Sequence, residues 1–151
     1  MARNKLLQAT LMATADETEQ RFYEAMQQGD VERLMSCWAE DDEVSAASVD
    51  GVRVHGLGAV RQHFDAVLGQ GGLDVRPVQV RRLQVGGCAI HHVLEQVRMI
   101  SGGKPETAYV ITSNVYANTP LGWRLVMHHA SPGQSGELEG GPDSQLGAML
   151  H

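Results

Sequence analysis

The hydrophobic pattern of this chain changes period once, at Gly69-Gln70-Gly71-Gly72. Upstream of that break, apolar residues recur at helical spacing. Downstream they fall into extended runs separated by turn residues. A chain built this way segregates its helices from its strands, so the expected class is α+β. Turns at Gly86-Gly87, Ser101-Gly102-Gly103-Lys104 and Thr119-Pro120-Leu121-Gly122 divide the second half into strands at 74–85, 88–100, 106–118 and 123–131. Connections that short predict an antiparallel meander. Val, Ile, Tyr and Thr fill these strands and suit a pleated, half-buried surface.

In the first half, Leu7, Leu11, Ala15, Phe22 and Met26 predict a helix over 10–28, with Asp16, Glu17, Glu19, Arg21 and Glu24 on its wet faces. Gly29 suits the left-handed residue that ends a helix. Asp30 can cap a second helix over 31–38 that buries Val31, Leu34, Met35 and Trp38. An acidic turn, Glu40-Asp41-Asp42-Glu43, leads to a strand at 44–49. Asp50-Gly51 signals a hairpin into a short strand at 52–55. Gly56 and Gly58 open a third helix over 59–68, with Val60, Phe64, Val67 and Leu68 on its apolar side. From residue 132 onward the sequence lacks periodicity and apolar content, which predicts a mobile tail. The expected organisation is an extension at 1–7, one domain at 8–131 and a tail at 132–151, since 151 residues suit one core.

Asp and Glu number 18 against 12 Lys and Arg, for a net charge of -6. A phosphate-backbone binder needs a basic face, so nucleic acid is not an expected partner. No apolar run approaches the ~20 residues that cross a bilayer, and none near the N-terminus is long enough for a signal peptide, so no membrane association is expected. Cys37 and Cys88 lie in apolar segments and read as reduced thiols of a cytoplasmic protein.

Two local patterns carry a family resemblance. Phe22 through Trp38 ends one helix and starts another at Gly29-Asp30. The closing strands read Thr112-Ser113-Asn114-Val115-Tyr116 and Gly122-Trp123-Arg124-Leu125-Val126-Met127-His128-His129-Ala130-Ser131. Over residues 10–131 the chain resembles the nuclear-transport-factor-2-like superfamily, in its SnoaL-like, ketosteroid-isomerase-like branch. That branch often ends in a Trp-Arg-x-Val-x-x-His-x-Ser run. The resemblance implies a cone of three N-terminal helices packed in a strongly curved, mostly antiparallel sheet that encloses a conical pocket. Relatives use that pocket for isomerisation, dehydration, cyclisation or simple binding, and others use the fold only to assemble, so the site must carry the functional argument. Ketosteroid isomerases need a carboxylate base and two oxyanion donors. Those positions align with Ala46, Phe22 and Ser113, none of which can do that work.

Alternate strand residues share a face. Trp123, Leu125, Met127, His129 and Ser131 form the more apolar set and are expected to point inward. On the 88–100 strand, His91 and Glu95 share a face. The catalytic candidates are therefore His129, with Glu95 or His91 as companion, since a carboxylate-oriented imidazole can exchange a proton near neutral pH. The other reading of His129 is a buried polar group satisfied by Ser131, Asn114 or backbone. Phe22, Met26, Trp38, Phe64, Ser113, Asn114, Trp123 and Met127 are the expected pocket lining. The pairs His91-His92 and His128-His129 each split across a strand, so no metal site is expected, and no cofactor. Arg76, Arg81, Arg82, Arg98 and Arg124 cluster in the strands and suit a homodimer through the sheet. Two functions stand: a pocket for a small, largely apolar molecule, as binder or cofactor-free isomerase or lyase; or a non-catalytic homodimeric assembly module.

Overall fold

The computed structural model describes residues 12–134. The expected extension at 1–7, the helix start at residue 10 and the tail beyond 134 lie outside them. Helix α1 is Ala15–Gln28, α2 is Val31–Met35 and α3 is Leu57–Val67. The strands are β1 Ser45–Ala47, β2 Arg53–His55, β3 Asp74–Val85, β4 Cys88–Ser101, β5 Lys104–Thr119 and β6 Gly122–Pro132. The fold is mixed α+β, with three helices among the described residues and one six-stranded curved sheet in the order β2-β1-β6-β5-β4-β3. The small β1–β2 hairpin stands between α2 and α3, so the helices do not form one uninterrupted N-terminal block.

Helix α1 starts at Ala15 because Thr14 caps it. The Thr14 hydroxyl accepts from the Glu17 amide at 3.1 Å, and Glu17 Oε2 accepts from the Ala13 amide at 2.9 Å. Thr14-x-x-Glu17 is thus a capping box in all but the last contact, and it overrides the apolar spacing that suggested an earlier start. Helix α2 is shorter than its pattern because residues 37–39 turn into extended backbone along β6. Leu125 donates to Cys37 O at 2.7 Å and Ala39 donates to Leu125 O at 2.8 Å. Farther along, β1 takes over the same edge of β6 in parallel, pairing Ala46 with His128. At the far end β6 runs through Pro132, and Gly133 donates to Tyr109 O at 2.9 Å.

Two bulges bend the meander, since an unpaired extra residue kinks its strand. One lies at Val78 of β3, beside Pro77, on the edge strand where a missing amide is tolerated. The other lies at Val126 of β6, where Tyr116 pairs with Leu125 but Val115 pairs with Met127.

Helix α1 lies across one face of the sheet and buries Phe22, Tyr23, Ala25 and Met26. Phe22 packs edge-on against Phe64 and Trp38, with centroids 5.8 and 6.5 Å away. The helix C-terminus is pinned to the start of the meander. Gly29 takes the left-handed conformation, φ 69°, while Leu73 donates to Met26 O at 2.9 Å. Gly72 passes so close to Gln27 that a Cβ there would overlap the Gln27 carbonyl. Gly72→Ala should therefore destabilise the protein by about 2 kcal/mol or more, because backbone rather than a flexible side chain must move. Urea unfolding checks this, with Gly87→Ala as a control whose new Cβ meets only the Asn118 side chain at 3.9 Å.

Candidate functional site

A cavity of about 310 Å³ opens between α1, α3 and the sheet. Met26, Phe64, Val75, Val97 and Val110 give it apolar walls, and Glu95 and His128 are two of its polar lining residues. Both are at least nine-tenths buried. Their positions follow from the sheet register: Glu95 faces Val110 across β4–β5, and His128 faces Asn114 across β5–β6.

A chain of hydrogen bonds joins the two groups behind the cavity wall. The Tyr23 hydroxyl donates to Glu95 Oε2 at 2.6 Å, and Asn114 Nδ2 donates to the Tyr23 oxygen at 3.0 Å. Asn114 Oδ1 lies 2.6 Å from His128 Nδ1. Tyr23, Glu95, Asn114 and His128 come from α1, β4, β5 and β6 in turn, so only the assembled fold brings them together. The Thr112 hydroxyl, on the same face of β5, is buried beside the Glu95 carboxyl, which it helps to hold down against burial, and has no partner of good hydrogen-bond geometry among the described residues.

The environment sets the charges. Burial pushes the Glu95 carboxyl up to about 7, with the Tyr23 hydrogen bond opposing. Burial also pushes the His128 imidazole down to about 3, with the neighbouring His63 and His129 acting in the same direction. Its ring is packed against Phe22 and Phe64, with centroids 5.2 and 5.9 Å away. Burial and the Glu95 charge hold the Tyr23 phenol above its usual range, so it stays protonated. Near neutral pH the cavity thus offers a carboxyl able to gain or lose a proton and a neutral imidazole.

The expected residues divide by face. Glu95, Met26 and Phe64 line the cavity, and Asn114 lies behind its wall. Phe22, Trp38 and Trp123 are buried in the hydrophobic core and do not line the cavity. His129 and Met127 do not point inward as strict alternation predicts, and Ser113 lies on the face of β5 opposite Asn114. The Val126 bulge inserts one residue, so Leu125 and His128 face the core while Met127 and His129 turn to the other side. There His129 Nε2 lies 3.0 Å from the Ser45 hydroxyl, and Ser113 lies 3.5 Å from His92 Nδ1. The bulge leaves no trace in the residue types, so the sequence did not mark His128. Tyr23 was more legible: Ala15, Glu19, Phe22, Tyr23 and Met26 keep one helical stripe, and all are buried.

His91 faces inward but belongs to a second polar cluster. Its Nδ1 lies 2.7 Å from Glu19 Oε2, which also accepts from the Tyr116 hydroxyl at 3.2 Å. Glu19 is thus buried rather than on a wet face. Arg82 Nε donates to Asp16 Oδ1 at 2.6 Å beside them. Asp16, Glu19 and His91 bring one potential ligand atom each within 4.8 Å of one another. Arg82 already supplies the positive charge to Asp16, and Glu19 is engaged by His91. An open groove of about 510 Å³ runs past this cluster between α1 and β3, lined by Asp16, Glu24, Gln27 and Arg82 among others. Among the described residues, no helix is long and apolar enough to cross a membrane.

The SnoaL-like domain family model matches residues 16–134. No curated protein matches the chain. Several solved structures share the fold. A protein from Thiobacillus denitrificans, provisionally assigned as a calcium/calmodulin-dependent protein kinase type II association domain, is 26% identical with a TM-score of 0.73, over 82% of this chain and 98% of that one. A protein from Streptomyces avermitilis, provisionally assigned as a dehydratase of the NTF2-like family, is 24% identical with a TM-score of 0.70, over 89% and 100%. The CaMKII hub of S. rosetta is 21% identical with a TM-score of 0.65, over 78% and 92%.

The two buried groups imprint opposite pH slopes on stability. Glu95 keeps its proton in the folded state up to about 7, above its unfolded value near 4.5, so its contribution is complete below 4.5 and is lost as pH rises through 7. His128, depressed from 6.5 to about 3, contributes above 6.5 and loses that contribution as pH falls toward 3. Between 4.5 and 6.5 the slopes oppose each other. Glu95→Gln removes one of them, so the variant should gain on the order of 2–3 kcal/mol relative to wild type between pH 4.5 and 7. Urea unfolding across that range reads the difference directly.

Proposed function

The chain belongs to the SnoaL-like domain family, and we propose that its cavity takes a small, largely apolar molecule on which Glu95 moves a proton. The observation that carries this reading is the placement of Glu95 and His128 on one apolar cavity, with their orientations tied together through Tyr23 and Asn114. A ligand pocket of this kind is an apolar cleft with a few convergent polar groups.

The acidities divide the labour. A proton carrier works best with a pKa near the working pH. Glu95 at about 7 meets that condition, whereas His128 at about 3 is some four units too weak a base. Glu95 is therefore the group that exchanges the proton, and His128 stays neutral and holds the ligand. Ionised Glu95 takes a proton from one carbon of the bound molecule and, now neutral, returns it to another carbon or to a leaving hydroxyl. The first outcome is an isomerisation; the second releases water and is a lyase reaction. Dry walls strengthen both steps by keeping solvent protons out. Enclosure by a cone of helices and sheet is part of the same proposal.

Native mass spectrometry of the purified protein tests the binding, and a retained molecule gives the substrate class for assay. Val110→Trp should abolish retention by filling the cavity beside Glu95. Glu95→Gln should lower turnover about 10²–10⁴-fold with binding kept, as loss of a positioned acid or base does. Unchanged turnover in Glu95→Gln would sink the catalytic part.

A second reading, homodimerisation through the sheet, has its own support. On the face away from α1, the cross-strand set Ile90, Val115 and Met127 lies beside the pair Leu94 and Ile111. Ile90, Ile111, Val115 and Met127 are half-buried there, whereas Leu94 is already covered within the single chain at 3% exposed. Apolar rows on an outward sheet face suit a twofold contact between copies. Ile111→Glu should convert a dimer to a monomer, read by sedimentation.

A further inference from the structure

We propose that Tyr23 and Asn114 are positioning residues that lock His128 in the tautomer protonated on Nδ1, leaving Nε2 as a bare acceptor, so that the cavity selects neutral molecules bearing a hydroxyl or N–H group. This deepens the cavity reading and rests on it for the ligand, but the lock itself is a property of the ligand-free protein.

Donors and acceptors along the chain of contacts fix one another in turn. Glu95 Oε2 accepts the single proton of the Tyr23 hydroxyl at 2.6 Å. With that proton spent, the Tyr23 oxygen can only accept from its other neighbour, so Asn114 must present its NH₂, 3.0 Å away. The Asn114 amide is then fixed end for end, and its Oδ1 faces His128 Nδ1 at 2.6 Å. An amide oxygen has no proton to give, so Nδ1 must carry one, and a neutral imidazole carries no other. His128 Nε2 is left with a lone pair and no hydrogen-bond partner among the described residues. The reversed arrangement would need Tyr23 to turn its proton away from Glu95.

The bridge orders the other end as well. The order of the bridge is set while Glu95 is ionised, and it persists in neutral Glu95 when the added proton sits on Oε1. Glu95 thus offers a ligand one exchangeable proton and His128 one acceptor, on a lining that also carries Ser48 and His63. A ligand with only acceptor atoms leaves Nε2 unpaired in an apolar site, a loss that such sites punish strongly. A hydroxyl or N–H pairs with it.

Histidine ¹⁵N spectroscopy of the full-length, ligand-free protein above about pH 8, where Glu95 is ionised, tests the lock, since protonated and bare ring nitrogens resonate apart. The expected result is one His128 tautomer with the proton on Nδ1. A proton on Nε2, or an even mixture, overturns the proposal, yet leaves open whether the cavity binds a ligand. Tyr23→Phe removes the hydroxyl that orients Asn114, so the single-tautomer signature should be lost. A His128 that stays locked in Tyr23→Phe overturns the role of Tyr23. Asn114→Asp places a carboxylate on Nδ1, which favours the imidazolium, so both nitrogens should become protonated at a higher pH than in wild type. Absence of that rise overturns the contact. If either variant fails to fold, the wild-type spectrum still decides the tautomer.

Discussion

The single extra residue at Val126 governs more of this molecule than any other local feature. Strand β6 lies inside the sheet, with β5 on one side and two successive parallel partners on the other. Residues 37–39 accompany it as far as Leu125, and β1 accompanies it from Met127 onward. Val126 falls where one partner hands over to the next. The inserted residue reverses the alternation of faces, so His128 enters the core instead of His129. Without it, Asn114 would face no histidine and the bridge from Glu95 would end at the asparagine.

Placing polar groups beneath a helix in a dry core carries a desolvation cost, and the protein meets it by pairing them in two separate sets. Toward the N-terminal end of α1, Glu19 is satisfied by His91 and Tyr116, beside the Asp16–Arg82 ion pair at the surface. One helical turn on, Tyr23 reaches Glu95 and Asn114. The first set opens on a charged groove and the second on an apolar cavity. That contrast gives the two buried carboxylates different surroundings. Glu19 has an imidazole against it, whereas Glu95 has a neutral hydroxyl, and burial therefore dominates its acidity.

The face of the sheet under α1 holds the cavity, and the opposite face is free to carry apolar rows. Each face draws on alternate residues of the same strands, so changes on one leave the other largely intact.

Local chemistry is what the sequence by itself determined. The glycine break, the turn residues and the β-rich runs fixed the α+β class and placed β3 to β6 to within two residues at their ends. Glu95 and His91 were legible because β4 carries no bulge, so period-two counting holds along its length. The helical stripe through Glu19 and Tyr23 was also there to be read. Which histidine of the pair 128–129 faces the cavity was not, because a bulge depends on how neighbouring strands share a ladder and not on the residue inserted. The site itself draws on α1, β4, β5 and β6, with Tyr23 and Asn114 separated by 91 positions in sequence. Contacts that distant exist only after the sheet has closed over the helix, and tertiary structure alone decided them.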